Sequence, residues 1–210
     1  MMQTPVEDLC RLIIDNYNKH PAMTTFTVAI SGIDASGKGY TAKQLKYLLE
    51  ENSLHVALLS IDDWQMPKAI SLCKENSAEH FYHNSFRWTA FFDSLFFPLQ
   101  KNCAIDLTAR LVKLEKDEVY THRFEFSNVD IILLEGIFLF KRDFDMLFDY
   151  KIWIDCSFEN GLKRASQRNQ EGLSKEQILS DYKTYYYPAQ QYHFEKDKPK
   201  EKANIIFINE

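Results

Sequence analysis

Apolar positions along this chain alternate between two spacings, and each change of spacing falls at a polar or glycine-containing turn. Val6, Leu9, Cys10, Ile13, Ile14 and Tyr17 recur at helical intervals, which predicts an amphipathic helix ended by His20-Pro21. Residues 26–31 (FTVAIS) read as a buried strand, 32–39 as a turn, and 38–50 as a helix carrying Ala42, Leu45, Leu48 and Leu49 on one side. A second β-rich run, 55–61 (HVALLSI), stops at Asp62-Asp63, and 129–134 (VDIILL) runs into Glu135-Gly136. The runs 151–155 (KIWID) and 203–208 (ANIIFI) complete the set.

Five apolar strands separated by helical segments predict an α/β fold, a parallel sheet covered by helices on both faces. Ligands of such sheets bind beyond the carboxyl ends of the strands. Polar residues stand at those ends: Ser31-Gly32, Asp62-Asp63, Glu135-Gly136 and Asp155. The site is thereby located before any motif is considered.

No repeat, low-complexity tract or linker interrupts the chain, so residues 1–210 are expected to form one domain with one core and room for a small lid. A net charge of −5 argues against binding to a nucleic-acid backbone, which needs a basic face. Cys10, Cys73, Cys103 and Cys156 form no C-x-x-C, which argues against a zinc site. The opening MMQTPVEDLCRLII is acidic with a short apolar run, unlike a secretion signal. The longest apolar stretch, 129–140, is broken by Glu135 and Gly136, so no membrane span is expected and the cytoplasm is the expected compartment.

Residues 32–38, GIDASGK, fit G-x-x-x-x-G-K directly after a strand and directly before a helix, the context the motif requires. Glycines let the backbone wrap an anion, and successive N–H groups with the helix N-terminus hold phosphates. Gly32, Asp34, Ala35, Ser36, Gly37, Lys38, Gly39 and Tyr40 are the expected ATP contacts, with Lys38 reaching the β- and γ-phosphates. The position after Lys38 ordinarily carries a Ser or Thr hydroxyl for Mg²⁺; here it is Gly39. Thr41 is a poor substitute, because two residues on a helix rotate a side chain about 200° away. Mg²⁺ survives the loss of one hydroxyl, since it takes few protein ligands besides phosphates and water.

Asp62 or Asp63 could accept a substrate hydroxyl's proton close to Mg²⁺, the alternative being a turn or helix cap. Glu135 ends an apolar strand, where a carboxylate suits a cation; a cap or ion pair is the other reading. Arg164 and Arg168 lie four apart on one helix face and could close over phosphates, or form a solvated basic face. Within the aromatic cluster 81–88, Tyr82 and His83 are the expected ligand contacts, although much of that cluster reads as core. His122 and Arg123, after a charged stretch read as a hairpin, are further candidates.

These residues together resemble the uridine kinase group of P-loop kinases, which includes phosphoribulokinase and nicotinamide riboside kinase. The likeness runs through ISGIDASGKG, SIDDW, HFYHNSF, IILLEGIFLF, the arginines at 164 and 168, ILSDYKTYYYPAQQYHF and ANIIFINE. It implies a three-layer P-loop NTPase fold with a five-stranded parallel sheet and a mobile lid. It also implies Lys38 on phosphate, Asp62 as general base, Glu135 holding Mg²⁺, and Arg164 and Arg168 in the lid. Two positions depart from the family: Gly39 replaces Ser or Thr, and Tyr82 stands where uridine-cytidine kinases have an Asp gripping the ribose. The expected activity is transfer of the γ-phosphate of ATP to a hydroxyl of a small metabolite, a nucleoside such as uridine. The alternative is a catalytically weak or inactive nucleotide-binding protein, which Gly39 motivates; a hydrolase-type NTPase ranks last. Expected partners are a nucleoside triphosphate and a small acceptor, with no nucleic acid or membrane; the oligomeric state is open, a homo-oligomer included.

Overall fold

A computed structural model describes residues 5–21, 24–113, 118–168 and 174–210. Five parallel strands form the central sheet: β1 Phe26–Gly32, β2 Val56–Ser60, β5 Ile131–Gly136, β6 Tyr150–Asp155 and β7 Ile205–Ile208, in the spatial order β2-β5-β1-β6-β7. The expected five strands are all present, each within a few residues of its apolar run. Between β2 and β5 the chain inserts an antiparallel hairpin of β3 Ile105–Lys113 and β4 Glu118–Phe126, the hairpin read from its charged stretch.

The middle strand β1 is buried along all seven residues because its two faces feed two cores. Val28 and Ile30 point to one face, where α1 (Val6–Tyr17) and α2 (Lys38–Glu51) cover them with Leu9, Ile13, Leu45 and Leu49. Ala29 points to the other face, into a larger aromatic core with Phe91, Phe96, Phe138 and Trp153. Several short helices build that second layer: α3 (Lys68–Ser71), α4 (Ser77–Asn84), α5 (Trp88–Phe91) and α6 (Phe97–Asn102). After β6 come α7 (Phe158–Arg168), α8 (Lys175–Asp181), α9 (Tyr187–Asp197) and α10 (Pro199–Lys202). Turns with i→i+5 bonding at Phe92–Phe96 and Tyr182–Tyr186 join α5 to α6 and α8 to α9; such turns re-aim the helix that follows. Among the described residues no helix is long and apolar enough to cross a membrane.

Candidate functional site

Parallel pairing brings the carboxyl ends of β1, β2 and β5 to one rim of the sheet. Ser60 faces Glu135 across β2 and β5, and Ile30 faces Glu135 across β1. The phosphate loop leaves β1 at this rim and enters α2 at Lys38. Gly37 has φ +93° in the left-handed region, and a Cβ there would lie 2.3 Å from the Asn209 amide nitrogen. Glycine at 37 is therefore favoured by the backbone, and a side chain there would also displace the Asn209 amide.

The loop is held from outside by three chain segments. The Asp34 carboxylate accepts from the Tyr182 hydroxyl at 2.7 Å, and the Gln190 side-chain carbonyl accepts from the Asp34 N–H at 3.0 Å. The Asn209 amide donates to the Ser36 carbonyl at 2.7 Å. Arg164 Nη1 donates to the carbonyls of Ser36 (3.3 Å) and Asn209 (3.0 Å) and contacts Cys156 Sγ at 3.4 Å. The Arg164 guanidinium, expected over the phosphates, thus ties the Ser36 carbonyl of the loop to the carbonyl of Asn209. Arg168 closes α7, and its side chain lies outside the described residues. Ser36 is buried with no partner for its hydroxyl among the described residues, and Lys38 is buried with Nζ 3.5 Å from the Ile33 carbonyl. Tyr40 turns outward, 69% exposed, accepting from Gln44.

Beneath Lys38 stands the acid of β5. The Glu135 carboxyl is pushed up to about 7 by burial and by the Asp62 charge, against the pull of Lys38 and a hydrogen bond from Ser60. That bond runs from Ser60 Oγ to Glu135 Oε1 at 2.5 Å. Asp62 and Asp63 sit exposed on the single turn Ile61–Trp64, where the Asp62 N–H donates to Ser60 Oγ at 3.3 Å. Loss of hydration and the neighbouring Asp62 raise the Asp63 carboxyl, while His122 lowers it. His122 of β4 is therefore near the acid pair, as the hairpin lies over this turn and stacks Phe124 on Trp64 at 6.2 Å. The next residue on the strand goes elsewhere: Arg123 pairs with Asp106 at 2.7 Å and with Glu125 at 3.3 Å, all exposed on the hairpin. Arg123, expected as a substrate contact, is thus held by two carboxylates of its own hairpin.

Tyr82 also departs from expectation. It is buried among the rings of Phe138, His193 and Tyr192, and its hydroxyl donates to the buried Asp197 carboxylate. Its hydroxyl is therefore tied to the C-terminal end of α9. Tyr82 and the exposed His83 line a separate cavity of about 340 Å³ with Trp88, Lys141, Lys196 and Asp197. Burial and the charges of Lys141 and Lys196 lower the His83 imidazole.

The acids at the rim suit a divalent cation. Glu135 and Asp63 are both raised first by burial and then by the neighbouring Asp62 charge, the second of which a dication would offset. Among the described residues no three acids, histidines or cysteines form a closed metal cage. Mg²⁺ does not need one, because it is held by one or two carboxylates together with phosphates and water. Sequence reasoning named Lys38, Asp62 and Glu135 but assigned nothing to Ser60, Tyr182, Gln190 or Asn209. The signal for the last three was their place in ILSDYKTYYYPAQQYHF and ANIIFINE, the tracts that carry the family likeness.

Strand order, loop and rim define a three-layer α/β fold of the P-loop kinase type. A possible uridine kinase from Bacillus stearothermophilus superposes with a TM-score of 0.76 at 22% identity, covering 96% of each chain. D-glycerate 3-kinase from Cryptococcus neoformans superposes with a TM-score of 0.63 at 12% identity, over 88% of this chain and 87% of that one. Among characterised sequences, uridine-cytidine kinase 2-B of Danio rerio is 27% identical over 186 residues, 82% of this chain and 69% of the relative. No family model matches the chain. The resemblance to uridine kinase-like P-loop kinases read from the sequence is upheld by these likenesses, and kinase-type phosphoryl transfer is the chemistry they support.

Proposed function

We propose that this chain is an ATP-dependent kinase that phosphorylates a hydroxyl of a small metabolite, with a nucleoside such as uridine as the leading acceptor. The observation that carries this reading is the meeting of a phosphate loop with Glu135, Ser60 and Asp62 at one rim of the sheet. A protein that only bound nucleotide would have little need for a general base there.

In this reading the loop N–H groups and Lys38 hold the triphosphate, and Asp62 orients the acceptor hydroxyl. The acceptor oxygen forms a bond to the γ-phosphorus as the bond to the β-phosphate oxygen breaks. The hydroxyl proton passes to the Asp62 carboxylate, and ADP leaves. Glu135 and Asp62 are the residues that would hold Mg²⁺, which when bound spreads the negative charge of the transferring group. Most of the acceleration then comes from positioning and charge stabilisation. Tyr182, Gln190 and Asn209 keep the loop in shape, and residues 1–210 act as one domain.

Gly39 favours the second reading, a nucleotide-binding protein of the same fold with little or no turnover. Transfer from γ-labelled ATP to a panel of nucleosides, sugars and vitamins separates the two. Phosphorylation of one acceptor, reduced about 10²–10⁴-fold in Asp62→Asn, is the expected result. Intact ATP binding that is indifferent to Mg²⁺, with no acceptor consumed, would favour the second reading.

A further inference from the structure

Residue 39 is glycine for no backbone reason. Among the described glycines only Gly37 has a positive φ, and a Cβ at 39 would stand 3.7 Å from Glu135 Cδ and Oε1, an ordinary contact. A serine would fit there, with its Cβ beside the Glu135 carboxyl. In phosphate-loop proteins the hydroxyl at this position binds the cation. This chain lacks that hydroxyl, yet the same carboxylate oxygen already receives a hydroxyl from another strand, Ser60 Oγ at 2.5 Å.

The hydrogen-bonding capacity of Ser60 is partly spent. An alcohol has one proton to donate and two lone pairs to offer. The Ser60 proton is on Glu135, and one lone pair takes the Asp62 N–H at 3.3 Å. Among the described residues no other donor reaches Ser60 Oγ, which is half-buried at the rim beside the Glu135 carboxylate. A hydroxyl whose proton is turned onto a carboxylate presents oxygen to a cation, which is what the missing side chain at 39 would have done.

We propose that Ser60 supplies the hydroxyl ligand to the divalent cation of the nucleotide complex, replacing from β2 the ligand that Gly39 removed from α2. This rests on the kinase reading for the presence of a metal–nucleotide complex, and its test reads metal binding without turnover. Mn²⁺ serves as the probe, titrated into the full chain with ADP and followed by electron paramagnetic resonance. Ser60→Ala weakens Mn²⁺ by about tenfold, adds one water to its coordination shell, and leaves metal-free ADP affinity unchanged. Gly39→Ser in the Ser60→Ala background restores affinity and removes that water. A second variant, Ser60→Cys, shifts preference from Mg²⁺ toward Cd²⁺, as a soft ligand does when it touches the metal.

An unchanged water count in Ser60→Ala, failure of Gly39→Ser to restore binding, or Ser60→Cys with unaltered metal preference overturns the proposal and leaves Ser60 as a support for Glu135. Failure of the wild-type chain to bind ADP at all overturns the kinase reading instead. The two failures are therefore distinct.

Discussion

Tyr182, on the turn between α8 and α9, donates its hydroxyl to the carboxylate of Asp34 in the phosphate loop at 2.7 Å. The two residues lie 148 positions apart, so a helix from the end of the chain fixes the loop at its beginning. Tyr182→Phe removes one charge-assisted bond worth about 1.5 kcal/mol, which predicts roughly tenfold weaker nucleotide binding with the fold retained. Isothermal titration with ADP measures it. Unchanged affinity would mean that the loop keeps its shape without the Tyr182 hydroxyl.

Glu135 makes the free protein sensitive to pH. Its folded carboxyl titrates at about 7, above the ordinary 4.5, so the protonated form stabilises the fold. That contribution is full below pH 4.5 and is lost as pH rises through 7. Glu135→Gln mimics the protonated acid. It should therefore raise stability at pH 8 by on the order of 2 kcal/mol, with the two proteins coinciding near the acid end. Phosphotransfer falls in the same variant. Denaturant unfolding at the two pH values decides, and equal stabilities at pH 8 would remove the strain assigned to this acid.

The two glycines flanking Lys38 should respond in opposite directions. Gly37→Ala puts a Cβ into a left-handed residue and into Asn209, so nucleotide binding is lost and stability falls by at least about 1 kcal/mol. Gly39→Ala makes only an ordinary contact with the Glu135 carboxyl, at 3.7 Å, and raises helix propensity, for a gain of up to about 1 kcal/mol. Thermal melting of both variants tests the pair.

Tyr82 gives a contrast between structure and ligand contact. Burial would push the Asp197 carboxyl up, but hydrogen bonds from His193, Tyr82 and the Arg142 N–H hold it well below the usual carboxylate range. Its stabilisation is present at neutral pH and lost as pH falls into the acid range. Tyr82→Phe should thus cost about 1–3 kcal/mol at pH 7, less in acid, and leave KM for the acceptor unaltered. A raised KM at unchanged stability would return Tyr82 to the acceptor site.

Much of this molecule was legible from local pattern. The runs FTVAIS, HVALLSI, VDIILL, KIWID and ANIIFI became the five strands of the sheet because strands buried on both faces need continuous apolar residues. GIDASGK became the phosphate loop, since its glycines and its place between strand and helix act over a few residues. Asp62 and Glu135 were found as acids at strand ends, and the hairpin was read from a charged stretch. The partners of these groups could not be found that way. Ser60 meets Glu135 only once β2 is set beside β5, and Tyr182, Gln190 and Asn209 meet the loop only after the last three helices fold back. The same holds for two of the expected substrate contacts. Tyr82 and Arg123 look free in sequence, but Asp197 claims one from 115 positions away and Asp106 the other from across a hairpin. Periodicity records which face of an element is buried; which polar groups then satisfy one another is decided by long-range packing alone.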